Sequence, residues 1–209
     1  MKSLFKVLLY ILITLALLAI VGRIFVFEVG RVGNYAMVPN LIPGDIFLMR
    51  KIGLLGTGDI AVCPNPEDAD ELVIGRIVGV PGDTLRIKKN RLNINSRQIH
   101  YQFLEPIIYF DTTTEETMEY VVKRAEEKLG NSLYTIAFMD ISNGQEFQEI
   151  TIPDGYFFLL GDNRNMAYDS RNYGLVPIDS CLGNASFLLW TTEDNGDLKQ
   201  SHRILSWVR

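Results

Sequence analysis

The chain opens on an apolar run and then changes rhythm. From Val7 to Gly22 no residue is charged, and Lys6 and Arg23 bracket the run. These sixteen positions fall a little short of the roughly 20 that a helix needs to cross ~30 Å of hydrocarbon. Leu4 and Phe5 lengthen the run and Lys6 can snorkel, so residues 4–22 are expected to form a transmembrane helix. A cleaved leader would carry an apolar core of about 7–15 residues and end at small residues in an A-x-A arrangement. The stretch "LLAIVGRIF" lacks that arrangement, which favours a retained anchor. Lys2 and Lys6 ahead of the span favour a cytoplasmic N-terminus, and Arg23 and Arg31 weaken that bias without reversing it. The expected organisation is a cytoplasmic tail at 1–3, an anchor at 4–22 and an extracytoplasmic domain at 23–209.

After the anchor the pattern becomes short β-like runs separated by Gly, Pro and Asn. "IFVFEVG" comes first, then "DIFLM" (45–49) and "DIAVC" (59–63), each entered through Gly-Asp. "LVIGRIVGV" (72–80) leads into a Pro-Gly-Asp turn. "LRIKKNRLNIN" (85–95) alternates as a hairpin, with its turn near Lys89-Asn90. "YTIAFM", "EITIP", "YFFLL" and "ASFLLW" complete the series. This spacing predicts a mainly β, antiparallel, partly barrel-like domain. One segment reads as helix. In "TTTEETMEYVVKRAEEKLG", Met118, Val121, Val122, Ala125 and Leu129 share one helical face. Thr113 and Glu116 fit a capping box there, and Gly130 a helix stop. The polar tail "TTEDNGDLKQSHR" reads as a loop.

Composition narrows the function. The net charge of −5 disfavours a nucleic-acid partner, which would want a basic face. Two Cys and two His, with no CxxC or HExxH, make a zinc site improbable, and no cofactor is expected. An extracytoplasmic location is oxidising, so Cys63 and Cys181 either pair or stay as buried thiols.

Three segments then occur in order: "YAMVPNLIPGD" (35–45), "GRIVGVPGD" (75–83) and "GDNRNMAYDSRNYGLVP" (161–177). With "GDIAVC" at 58–63 they closely resemble the type I signal peptidases, membrane-anchored serine endopeptidases of bacteria. The resemblance spans the anchor and most of the domain and is weakest at about 96–150, where that family varies. It implies an antiparallel β domain on the outer membrane surface and a Ser–Lys dyad, in which a buried neutral Lys takes the Ser proton.

The same resemblance assigns roles to positions. Its nucleophile falls on Ala36, its general base on Gly75 and its orienting hydroxyl on Ala167. A methyl group cannot attack a carbonyl and a glycine cannot accept a proton. The backbone N–H of Ala36 survives as an oxyanion donor, but the hydroxyl expected two residues earlier is Asn34. Cys63 is the remaining candidate nucleophile, and neither His100 nor His202 has a family role as its base. Arg76, Asp162, Asn163, Arg164, Asp169, Ser170, Arg171 and Gly174 match the family's structural pattern. Together they imply a frame kept around a site without its reactive groups.

The expectation is a catalytically inactive, membrane-anchored relative of signal peptidase I. It would hold a secreted or pilin-like chain in extended form as an assembly factor, against a strand edge supplied by residues 27–40. The groove residues would be Asn34, Tyr35, Ala36, Met37, Val38 and Pro39, with Tyr35 and Val38 lining it. The apolar "IFVF" at 24–27 would touch the lipid bilayer. Two alternatives stand beside this: an active signal peptidase with another nucleophile, and a regulatory subunit of an active signal peptidase; an active signal peptidase or the secretion machinery is a further expected partner.

Overall fold

The computed structural model describes residues 2–89, 91–111, 118–139, 146–191 and 204–208. Helix α1 (Lys2–Phe25) contains the apolar span Leu4–Gly22, none of which is buried in the protein. A helix that is apolar on every side and covered by nothing fits a single-pass membrane anchor.

The rest is mainly antiparallel β structure. A large sheet takes β1 (Phe27–Arg31), β2 (Ile46–Arg50), β3 (Ile60–Pro64) and β4 (Leu72–Gly79) from the first part of the chain. A small sheet follows, with β5 (Thr84–Lys88), β6 (Arg91–Ile94) and β7 (Arg97–Gln98). The long strands β8 (His100–Asp111) and β9 (Met118–Leu129) pair with β10 (Ser132–Phe138) in a three-stranded sheet. Strand β11 (Phe147–Thr151) joins β5 at the edge of the small sheet. Then β12 (Tyr156–Leu160), β13 (Val176–Pro177), β14 (Gly183–Trp190) and β15 (Ser206–Trp207) return to the large one. Its order is β1-β2-β14-β3-β4-β12-β13, with β15 paired to β14. Between β12 and β13 lies the single turn α2 (Ser170–Tyr173), capped at Asp169.

The expected β5–β6 hairpin forms, with Leu85 opposite Ile94 and Ile87 opposite Leu92. Its alternation holds because Leu85, Ile87, Leu92 and Ile94 all bury into one cluster with Phe158 and Leu160. Asn90 of its turn lies outside the described residues, as do Thr113, Glu116 and residues 192–203 of the tail.

Residues 118–129 are strand, not helix. Val121 is 60% exposed while Val122 is fully buried, so neighbours face opposite sides. A helix would have put both on one face. Inward positions run Ala125, Glu127, Leu129, a period of two. The segment finds hydrogen-bonding partners on both sides, β8 and β10, and its adjacent β-branched residues suit a pleated surface. Gly130 ends it as expected, but as the positive-φ residue of the β9–β10 turn rather than as a helix cap.

Residues 32–45 wind between two clusters. Met37 and Leu41 pack with Phe47, Met49, Ile60 and Leu188. Tyr35, Val38 and Ile42 pack the other way, against Ile107, Val122 and Ala137 of the three-stranded sheet. The sequence left the cysteines open; they are bonded, Cys63 of β3 to Cys181 just before β14. The link closes 118 residues of chain beside the β3–β14 pairing. The double substitution Cys63→Ala, Cys181→Ala is expected to cost about 3–5 kcal/mol, most of it released unfolded-chain entropy. Urea unfolding of both proteins, read as a lower midpoint, checks this.

Candidate functional site

The turn 161–171 follows β12 and carries three arginine or aspartate partnerships in a dry interior. Asp162 receives Arg76 of β4 through two hydrogen bonds, 2.8 and 2.7 Å long. Arg76 also donates to the Gly58 carbonyl at 2.8 Å and lies 3.8 Å over the Tyr134 ring. Asn40 donates to Asp162 Oδ2 and to the Thr135 carbonyl, each at 2.6 Å. One carboxylate thus joins the 32–45 segment to β4, while Asn40 ties both to β10. Planar two-point pairing fixes direction as well as distance.

Arg164 pairs with Glu127 of β9, at 2.8 and 2.6 Å. Tyr134 donates to the same carboxylate. Both charged groups are sealed from solvent. Burial pushes the Glu127 carboxyl up, but the Arg164 charge and the bonds from Arg164, Tyr134 and Tyr101 outweigh it and hold the carboxyl below its ordinary range. Burial likewise opposes the Arg164 charge, and Glu127 more than offsets it. Burial and the nearby Glu127 charge push the Tyr134 phenol well up, so it stays a hydrogen-bond donor.

The third pair is local. Arg171 grips Asp169 at 2.7 Å twice and the Arg164 carbonyl at 2.6 Å. Asp169 accepts the Gly161 N–H at 2.9 Å, and Ser170 Oγ accepts the Leu159 N–H at 2.9 Å. That N–H sits where the β12–β4 register shifts, so Ser170 satisfies a group the ladder misses. Asn163 completes the clamp: its N–H donates to the Ala36 carbonyl at 3.0 Å, and its side chain to the Tyr35 carbonyl at 3.1 Å.

The frame residues named from the sequence are therefore brought together, and positions 36 and 167 meet among them at Gly161, while position 75 lies beside Leu159 of β12. A methyl placed on Gly161 would overlap the Ala167 methyl and lie 2.7 Å from the Ala36 carbonyl oxygen. A Cβ on Gly75 would lie 3.0 Å from the Leu159 Cβ, one strand away. All three positions are buried around the end of β12. The Ala36 N–H is not open: Asn34 Oδ1 accepts it at 3.0 Å. The expected oxyanion donor is occupied by a neighbouring side chain.

The expected groove needs correction. Residues 34–40 are bend and turn, not strand, and Tyr35, Met37 and Val38 are buried in the core. Asn34 is exposed and Pro39 half-buried. The side chains of Tyr35 and Val38, expected to line the groove, pack against the three-stranded sheet. Of residues 27–40, only β1 is a strand, and among the described residues it pairs with β2 alone. A second open edge lies nearer the site. β4 pairs with β3 over Leu72–Arg76, but with β12 only from Arg76 onward. Its stretch Leu72–Gly75 thus has one unpaired side among the described residues. Cys63 is no nucleophile, since its sulfur is in the disulfide.

Glu127 escaped the sequence reading because it lay on the polar side of an expected helix. Charge arithmetic pointed to it. Arg76, Arg164 and Arg171 outnumber Asp162 and Asp169, so one buried guanidinium needed a carboxylate from elsewhere. The Glu127→Gln substitution is expected to cost about 3–5 kcal/mol near pH 7, since it leaves Arg164 uncompensated. Glu127's folded-state pKa is lowered, so its contribution is complete above the ordinary value of about 4.3 and is lost as pH falls through the folded-state value. Denaturant unfolding across pH 3–7 should accordingly show a flatter acid limb for the variant than for the parent.

The family model "Signal peptidase, peptidase S26" matches residues 4–190. The chain is 32% identical over 187 residues to signal peptidase I of Streptococcus pneumoniae TIGR4, covering 86% of this chain and 89% of that one. It is 31% identical over 179 residues to signal peptidase I T of Bacillus subtilis 168, covering 83% and 79%. A crystal structure of a signal peptidase I from Enterococcus faecalis V583 aligns at 23% identity and a TM-score of 0.38, over 64% of this chain and 97% of that one. With the family match spanning most of its length, this chain belongs to the signal peptidase, peptidase S26, family.

Proposed function

We propose that this member of the family binds an extended secreted or pilin-like precursor without cleaving it, as an assembly factor. One observation carries the reading: position 36 presents only a methyl and position 75 no side chain, with the Leu159 Cβ 3.0 Å from where a Cβ at 75 would stand. Acyl transfer by this family's chemistry needs a hydroxyl and an amine within hydrogen-bond reach. The Asn34 side chain on the Ala36 N–H supports the same conclusion, because a donor already engaged is not poised for a developing oxyanion. Ser170 is no replacement, being buried and bonded to the Leu159 N–H.

Binding needs neither group. The open side of β4 at Leu72–Gly75 offers main-chain donors and acceptors to an added strand. The frame of ion pairs keeps that edge in place. The anchor would hold the domain beside the bilayer, N-terminus inside and domain outside. Lys2 and Lys6 ahead of the span support that orientation, as does the disulfide. Pilin-like clients follow from the resemblance to degenerate signal peptidases of pilus assembly systems.

The test uses the full-length protein in detergent, with a secreted precursor and a photo-crosslinker at Leu72, which is 58% exposed. Capture of intact precursor and no mature product is expected. Release of mature product, or a serine-directed acylating inhibitor found covalently attached, would overturn the reading. Capture of a second peptidase in cells would replace it with the regulatory-subunit alternative. The double substitution Ala36→Ser, Gly75→Lys is expected not to restore cleavage. The lysine Cβ would press on the Leu159 Cβ at 3.0 Å, a crowding expected to cost about 1 kcal/mol and to show as a lower melting temperature.

A further inference from the structure

A cleft of about 790 Å³ opens between β2, β14, β15 and the β9–β10 turn. Its apolar walls include Leu48, Leu133, Phe187 and Trp207, and Phe27 stands at its edge. Two charges on its lining are spent within the protein. Asp59 accepts the Gly56 N–H at 2.9 Å and the Asn184 side chain at 2.8 Å. Arg76 is turned to Asp162 and Gly58. The remaining charge is Arg50, directly across the β1–β2 ladder from Phe27. One of its nitrogens donates to the Ile52 carbonyl, and among the described residues no carboxylate pairs with it.

A second cleft of about 340 Å³ shares Phe27 and Leu48 with the first and is closed by Ala19 and Gly22 of α1. Those two residues belong to the apolar span Leu4–Gly22. Phe27 and Leu48 thus border both clefts, the one at the flank of α1 and the one in the domain. Only Val26 separates the end of α1 from β1, so Phe27 and Arg50 must stand at headgroup level. Aromatic rings and cations at that level are the chemistry of a lipid interface. The two central strands of the walls are paired on both sides, β2 by β1 and β14, and β14 by β2, β3 and β15, so the middle of the cleft presents side chains rather than a free strand edge. An acyl chain needs no hydrogen bonds and always surrounds α1.

We propose that this cleft takes one acyl chain of an anionic phospholipid from the adjoining leaflet, with the phosphate on the Arg50 guanidinium. The site is independent of the fate of the dyad. It would hold the β domain against the bilayer at a fixed tilt, through a bound lipid as well as through α1.

The full-length protein in lipid nanodiscs tests this. The probes are phosphatidylglycerol and phosphatidylcholine carrying a photoactivatable group near the acyl terminus, with labelled residues mapped by mass spectrometry. The phosphatidylglycerol probe is expected to label Leu48, Leu133 and Phe187 as well as α1. The phosphatidylcholine probe, whose choline cation offsets its phosphate charge, should label the cleft about five-fold less, the value of one basic residue beside an anionic headgroup. Leu133→Glu, at an exposed wall position, should abolish cleft labelling and leave α1 labelling unchanged. Arg50→Gln should remove the difference between the two lipids. The proposal fails if label is confined to α1 with both probes, or if Leu133→Glu leaves cleft labelling intact. It also fails if an added precursor polypeptide crosslinks in the cleft and displaces the lipid label.

Discussion

The Arg76–Asp162 pair is the interaction on which the rest of the domain depends. A guanidinium sealed from water is tolerable only if its charge and its donors are answered. Asp162 answers through two bonds, the Gly58 carbonyl through a third, and the Tyr134 ring by cation–π contact. Each partner sits on a different element, so satisfying one side chain fixes the relative placement of β4, β10 and the 161–171 turn. Arg164 does the same for β9 through Glu127. Such pairs add little net stability compared with apolar packing, yet removing one partner strands a charge. They therefore act as constraints on geometry, which is what a site needs.

That constraint separates the frame from the chemistry it surrounds. None of the frame's bonds passes through the side chains at 36, 75 or 167. Asn163 holds the Tyr35–Ala36 segment by backbone carbonyls alone. On the reading proposed here, reactive groups can be lost from such a scaffold without loss of fold. The open side of β4 then remains as a peptide-binding element. The same reading draws on the close approach of Leu159 to Gly75 and on the capping of the Ala36 N–H by Asn34.

Much was legible in the chain itself. The apolar run of α1, the Gly-Asp entries to β2 and β3 and the β5–β6 alternation are local signals, because burial on one face imposes its own period. The ordered motifs located the frame, and its members do meet. What misled was the 118–129 segment, whose apolar residues fit helical and strand templates alike. Pairing on both sides settled the matter, and pairing partners are distant in sequence.

From the sequence alone came which groups exist: the anchor, the motif positions, a methyl at 36 and no side chain at 75. These are matters of composition and local pattern. Tertiary structure alone decided which groups meet. It put Glu127 on Arg164, joined Cys63 to Cys181, covered Tyr35 and Val38, and left one side of Leu72–Gly75 unpaired among the described residues. Those outcomes depend on contacts between residues tens of positions apart, whose cost in chain entropy is met only when the whole core closes.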